Sequence, residues 1–199
     1  GGERLIAAKG FVGVGLAEIL AAAGVPKGSF YHYFGSKERF GEALLAQYLE
    51  RYLAQLDALL QPDDAGTPAR ARLMRYWSCW NVSQCGTAPA DAAEEGCDTE
   101  AAGARCLIVK LSAEVADMSE PMRLALRRGT DDIVQRIALC LQQCQNEGAV
   151  PARADTVALA LTLYELWLGA SLLAKLRRDG TAFEHALKST EQLLDMAPA

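Results

Sequence analysis

The sequence predicts an all-α protein, with a small N-terminal three-helix head and a larger helical body. Three observations carry this. Apolar residues recur every three or four positions through most of the chain, the spacing of one helix face. Glycine and proline punctuate these stretches, as at Gly10, Gly24, Pro26, Gly148 and Pro151, and no alternating apolar/polar run signals a strand. At 199 residues, with 51 % apolar and 23 % charged residues, the chain can bury a sizeable core and is not a disordered tail.

In chain order, residues 3–9 (ERLIAAK) read as two helical turns ended by Gly10, short enough that the native chain is expected to begin earlier. Phe11 is expected to plug the small core beneath the next helix. That helix carries Leu16, Ile19 and Leu20 on one face, continues through Ala21–Ala23 and stops at Gly24, which can take positive φ. Pro26 suits the start of a short polar helix over 27–34. Ser36 is an N-cap for a long helix to about Leu60, with the stripe Phe40, Leu44, Tyr48, Tyr52, Leu56 and Leu59. Residues 61–68 (QPDDAGTP) are a linker by composition, and 69–84 a further helix bearing Met74, Trp77, Cys79 and Trp80. The stretch 85–104 has glycine, proline, alanine and acids but no large apolar residue, and reads as a long loop. Helix resumes at Arg105, is interrupted at Ser119–Pro121 and continues to about Glu147, with Leu126, Ile133, Ile137, Cys140 and Cys144 as its stripe. Residues 153–178 form the most apolar helix and 182–195 the last. The division that follows is a head, 1–53, and a body, 54–199.

Charge and cysteine usage narrow the classes. The net charge is −5. Residues 1–53 hold six Lys/Arg against five acids, so the head is +1 and the body −6. No secretory core opens the sequence, so the six cysteines (79, 85, 97, 106, 140, 144) are expected to be mostly reduced thiols in the cytoplasm. Their spacing fits no zinc pattern, and no metal or cofactor is expected. No Ser/His/Asp set or paired-carboxylate site is visible, which argues against an enzyme. The run Thr156–Ala174 carries only Glu165 as a charge, but its flanking helices are water-soluble, which argues against a membrane span. Its face of Ala160, Leu163, Trp167, Ala170 and Ala174 suits close packing across a subunit interface.

The helix 27–34 is too short and polar for a core element, and insertion into the DNA major groove is the best reason for it. Gly10-Phe11, LAEILAAAGV (16–25), PKGSFYHYF (26–34) and SKERF (36–40), occurring in that order, resemble the head of the tetracycline-repressor (TetR) family of bacterial transcription regulators. The resemblance implies a helix-turn-helix head, a C-terminal sensing and dimerisation body, a homodimer and a double-stranded operator DNA. It also implies that Lys27, Gly28, Ser29, Tyr31 and His32 face DNA. Lys27 and Ser29 stand in the first turn, where recognition helices meet base edges. Tyr33 and Lys37 are placed for phosphates, although Tyr33 could equally be a core aromatic beside Phe30 and Phe34. Where the family has Thr or Ser opening the second helix, this chain has Gly13-Val14-Gly15.

RCLIVKLSAEVADMSEPMR (105–123) and YELWLGASLLAK (164–175) resemble the NemR-type branch, repressors that respond to electrophiles and oxidants. Cys106 is expected to open a helix beside Arg105, where unpaired N–H groups and a cation favour thiolate. Cys106 and Lys175, one in each motif, are the candidate sensing pair. Cys85 and Cys97 could resolve an oxidised Cys106, whereas Cys140 and Cys144 read as core. Trp77, Trp80, Tyr164 and Trp167 leave open an alternative, an aromatic-lined pocket for a reversible apolar small-molecule effector. The last two helices of each subunit are expected to form the dimer interface.

Overall fold

In a computed structural model, residues 2–63, 65–85 and 99–196 are described, with side chains at 3, 5–63, 65–81 and 107–196. The described residues form helices α1 (Gly2–Lys9), α2 (Leu16–Ala23), α3 (Lys27–Phe34), α4 (Lys37–Leu60), α5 (Ala69–Cys85), α6 (Thr99–Val115), α7 (Glu120–Asn146), α8 (Thr156–Arg177) and α9 (Thr181–Met196). None of them is in a strand. The chain divides into two compact units, 1–51 with 106–130, and 52–105 with 131–199. The head of 1–53 expected from sequence is thus one part of a unit that also takes in the end of α6 and the start of α7.

In the first unit, the helix ends are set by the predicted residues. Gly24 closes α2 at φ +63°, its N–H donating to the Ala21 and Leu20 carbonyls. Pro26 is the N-cap of α3, which begins at Lys27 as expected, and the Ser36 hydroxyl accepts the Arg39 N–H at 3.2 Å to start α4. Ile6, Phe11, Val14, Ile19, Phe30, Leu45 and Leu49 are buried, with Leu107, Leu111, Val115 and Met122 from α6 and α7. Phe11 is the plug. A Cβ on Gly41 would stand 2.6 Å from its ring and 2.8 Å from the Met122 methyl, so α4 can pass this close only as glycine.

The second unit is built on aromatics from α5 and α8. Trp77 and Trp167 stack with centroids 4.9 Å apart and planes 13° from parallel, and Trp80 and Phe183 continue the cluster. The indole N–H of Trp80 donates to Ser171 Oγ at 2.8 Å and that of Trp167 to Thr190 Oγ1 at 3.0 Å, so these buried donors are satisfied. Glu147 accepts the first N–H of α5, at Ala69, across 2.8 Å. Asp155 caps α8 by accepting from Val157 and Ala158.

Two sequence expectations are corrected. Helix resumes at Thr99, not Arg105: residues 99–104 (TEAAGA) lack an apolar stripe, but alanine and glutamate favour helix without one. On α8, the face of Ala160, Leu163, Trp167 and Ala170 is buried within the unit, not offered to a partner. A helix apolar all round does not reveal by period which face turns inward. The large apolar residues that α8 leaves exposed are Val157, Leu161, Leu172, Leu173 and Leu176.

Candidate nucleic-acid interface and sensing residues

α3 presents its polar side chains to solvent because three rings hold its other face. Phe30 is buried, 5.2 Å from Phe34 and 5.5 Å from Phe40 at the start of α4. Lys27, Gly28, Tyr31 and His32 are exposed and Ser29 half-buried. Tyr33 is 77 % exposed, so it is not a core aromatic; its ring lies 5.3 Å from that of His32. Lys27 Nζ stands 5.9 Å from the Tyr31 centroid, a cation over an aromatic face. Cβ atoms on Gly28 would meet nothing within 4 Å, leaving the backbone open to close approach. α2 starts without a side-chain cap at Gly15, as its missing hydroxyl requires.

Lys37 is placed differently from the sequence expectation of a phosphate contact. It is half-buried, donates to the Phe11 carbonyl at 2.7 Å and sits 4.6 Å from that ring's centroid. Its ammonium therefore braces the corner between α1 and α2. The same corner is held from α6. Lys110 Nζ donates to the Ala7 and Ala8 carbonyls, both at 2.6 Å, and Glu114 accepts the Phe11 N–H at 2.6 Å. Sequence reasoning missed both residues, since their partners are backbone groups about a hundred positions away and no pattern marks those.

Of the sensing candidates, the Cys106 side chain, Cys85 and Cys97 lie outside the described side chains. The backbone places position 106 roughly two turns inside α6. The helix-start argument for its thiolate is corrected accordingly, because the dipole acts within the first turn; the adjacent Arg105 and Lys110 one turn on remain as cations in the sequence. Lys175 is exposed in the last turn of α8. Cys140 and Cys144 are free thiols buried on α7, as expected of core. The Cys140 thiol is pushed up by its hydrogen bond to Cys144, then by burial. Cys79, also buried, is disulfide-bonded, and sequence reasoning gave it no role.

The structure brings Trp77, Trp80, Tyr164 and Trp167 together in one buried cluster, with Trp80 and Tyr164 edge-to-face at 5.9 Å. Two polar atoms in it, Trp77 Nε1 and Tyr164 Oη, have no hydrogen-bond partner among the described residues. Burial holds the Tyr164 hydroxyl well above the usual phenol range, so it stays protonated. Separately, an outer groove of about 590 Å³ runs between α8 and α9, lined by Glu165, Gly169, Leu173, Arg177, Ala182 and His185 among others. Among the described residues, no group of three or more His, Cys, Asp or Glu could hold a metal.

Residues 1–44 match the pattern described as bacterial regulatory proteins, tetR family, and residues 87–190 that of the tetracyclin repressor-like C-terminal domain. The chain is 36 % identical over 195 residues to the HTH-type transcriptional repressor NemR of Escherichia coli (strain K12), covering 97 % of this chain and 89 % of that one. It is 30 % identical over 200 residues to the HTH-type transcriptional repressor DhaR of Mycobacterium sp. (strain GP1), covering 96 % and 91 %. Among solved structures, that of reduced E. coli NemR superimposes with a TM-score of 0.81 at 36 % identity, covering 100 % of this chain and 95 % of that one.

Proposed function

The chain belongs to the tetR family of bacterial regulatory proteins, and we propose that it is a cytoplasmic, homodimeric repressor released from operator DNA when an oxidant or electrophile modifies Cys106. The likeness to a NemR repressor over nearly the whole chain is the observation that carries this reading. α3 reads base edges in the major groove through Lys27, Gly28, Ser29, Tyr31 and His32, with Tyr33 beside them for phosphate. Two heads read the two halves of a near-palindromic site. The head has few cations to spare: Lys9 pairs with Glu18 and Arg51 with Glu3, so tight binding depends on the dimer.

Dimerisation through α8 and α9 is supported by the apolar stripe left exposed on α8. Val157, Leu161, Leu172 and Leu176 flank Glu165 and Gly169 at helical spacing, and Leu176 is 71 % exposed. α8 is long and apolar enough to cross a membrane, at a mean hydropathy of 1.7, yet 39 % of its most apolar window is buried by its own chain. A subunit partner covering the rest accounts for that composition without a membrane.

In sensing, the Cys106 thiolate adds to an electrophilic carbon, forming a C–S bond while the displaced electron pair takes a proton from water. With hypochlorous acid, the sulfur takes the chlorine and hydroxide leaves; water then replaces chloride to give the sulfenic acid. Lys175 is the proposed partner in this response. The test is operator binding on duplex DNA selected by the chain from a random pool, with and without hypochlorite. Wild type should bind and release, and Cys106→Ser should bind and stay. Release by Cys106→Ser equal to wild type would overturn the reading, and unchanged release by Lys175→Met would remove Lys175 alone.

A second reading is favoured by the unpaired Trp77 and Tyr164 polar atoms. A reversible small molecule, apolar with one acceptor, would enter the aromatic cluster and satisfy them. It predicts release of Cys106→Ser by such a molecule, abolished by Tyr164→Phe.

A further inference from the structure

The charged residues of α6 offer the strongest unassigned feature of the first unit. Lys110 and Glu114 are one helical turn apart, and both turn toward the α1–α2 corner rather than to one another. The Lys110 ammonium caps the last carbonyls of α1, groups that a helix end leaves without intrahelical partners. Glu114 takes the N–H of Phe11, two residues beyond that helix. Gly10 between them has φ +82°, and a Cβ there would stand 2.1 Å from Glu114 Oε1, so the chain gives up a side chain to admit this carboxylate. The Phe11 carbonyl takes the Lys37 ammonium in turn, and Lys37 is the first residue of α4, three positions after the end of α3. Four charge-assisted hydrogen bonds therefore link α6, the backbone of Ala7–Phe11 and Lys37 at the start of α4, the helix that follows the DNA-reading one.

We propose that Lys110 and Glu114 are positioning residues that hold the α1–α2 corner, and with it α3, in its DNA-reading geometry, and that modification one turn upstream at position 106 reaches the head by breaking their grip. The second half rests on the Cys106 reading; the first does not. The pair's three partners are backbone groups, the carbonyls of Ala7 and Ala8 and the N–H of the buried Phe11, so a shift of α6 has no flexible side chain on the head side to absorb it. Both ligands are charged, and each bond is short enough that an ångström of displacement costs most of it. Helix capping alone would use Lys110 and leave Glu114 and the side-chain-free Gly10 without purpose.

The test uses the full chain and its selected operator, with Lys110→Met, Glu114→Gln and the conservative Glu114→Asp. Operator affinity is measured before and after Cys106 is alkylated with N-ethylmaleimide, with mass spectrometry confirming modification. Wild type should lose affinity by a factor within the usual range of coupled sites, about 5- to 150-fold. Lys110→Met and Glu114→Gln should bind more weakly before modification and lose little more after it, with Glu114→Asp restoring part of the difference. A purely stabilising role would lower the melting temperature and leave the before-to-after ratio as in wild type, and that result overturns the proposal. Should wild type itself show no loss, the Cys106 reading fails; unmodified affinities then decide, and variants binding as wild type overturn the positioning role. Hydrogen exchange at the Phe11 amide of wild type needs no variant. Exchange should quicken by about tenfold or more on modification, and unchanged protection contradicts the transmission.

Discussion

At the scale of single residues, Trp77 and Trp167 are each fully buried and stack on one another. Truncating either to alanine should cost about 3–5 kcal/mol by the transfer and cavity terms, read as a shift of the urea midpoint. Tyr164→Phe is the opposite case. Its hydroxyl is buried without a partner among the described residues, so its removal should be neutral or stabilising, by at most about 1–2 kcal/mol; a larger loss would contradict that. Native chain treated with N-ethylmaleimide should leave Cys140 and Cys144 unlabelled until it unfolds, since both are fully buried on α7; their labelling at the rate of an exposed thiol would contradict a core role. The sequence was explicit about some of these residues and silent about others. Cys140 and Cys144 stand on a stripe of period 3.6, so their burial could be read in advance. Lys110, Glu114 and Lys37 bond to backbone groups distant in sequence, and neither charge nor spacing predicts that. Tyr33 carried the same aromatic signal as Phe30, and only the packing of Phe34 and Phe40 separates the exposed ring from the buried one.

At the scale of elements, the head could be read almost helix by helix, because its ends are written in residues with a physical role: Gly24 at positive φ, Pro26 before α3, Ser36 before α4. The start of α6 was not legible in the sequence, because 99–104 has helix propensity without an apolar stripe. The inward face of α8 was not legible either, because all its faces are apolar. Its cap gives a test: Asp155→Ala removes an acceptor for two N–H groups and should destabilise the chain by about 1 kcal/mol, seen in thermal unfolding. At α9, the Thr181 hydroxyl and N–H donate to Asp179 at 2.6 and 3.1 Å, and these bonds hold its carboxyl below the usual range. A lowered folded value means the stabilisation is present above the unfolded pKa of about 3.9 and is lost as pH falls through the folded value. The Thr181 amide resonance should therefore titrate below that point, and Asp179→Asn should abolish the transition; titration at or above it would refute the assignment. Packing between α4 and α7 is equally specific. A Cβ on Gly129 would lie 2.5 Å from both Leu49 methyls, so Gly129→Val should cost about 1–3 kcal/mol by overpacking, read in the same denaturant series.

At the scale of the whole molecule, a DNA-binding head short of free cations belongs with a body whose outer helix is apolar. Both features point to a dimer, the first because one head binds DNA weakly and the second because α8 needs a cover. Leu172→Glu with Leu176→Glu should give monomers in sedimentation and lose operator binding while keeping the helical spectrum, since both side chains are exposed in the single chain; a dimer that survives both would move the interface elsewhere. What the sequence offered at this scale was the family and hence the logic of the machine, through PKGSFYHYF and the motifs around 106 and 175. The division of α6 and α7 between two units was not legible, because it depends on which contacts close rather than on which helices form. The central claim is that occupancy of one thiol sets occupancy of the operator. It is tested most directly by titrating the operator-bound dimer with N-ethylmaleimide, following DNA release by fluorescence anisotropy and Cys106 modification by mass spectrometry in the same samples. The account predicts that the fraction released rises with the fraction of Cys106 modified and that Cys106→Ser stays bound throughout. Release while Cys106 is intact, or an operator still fully bound once it is modified, would contradict it.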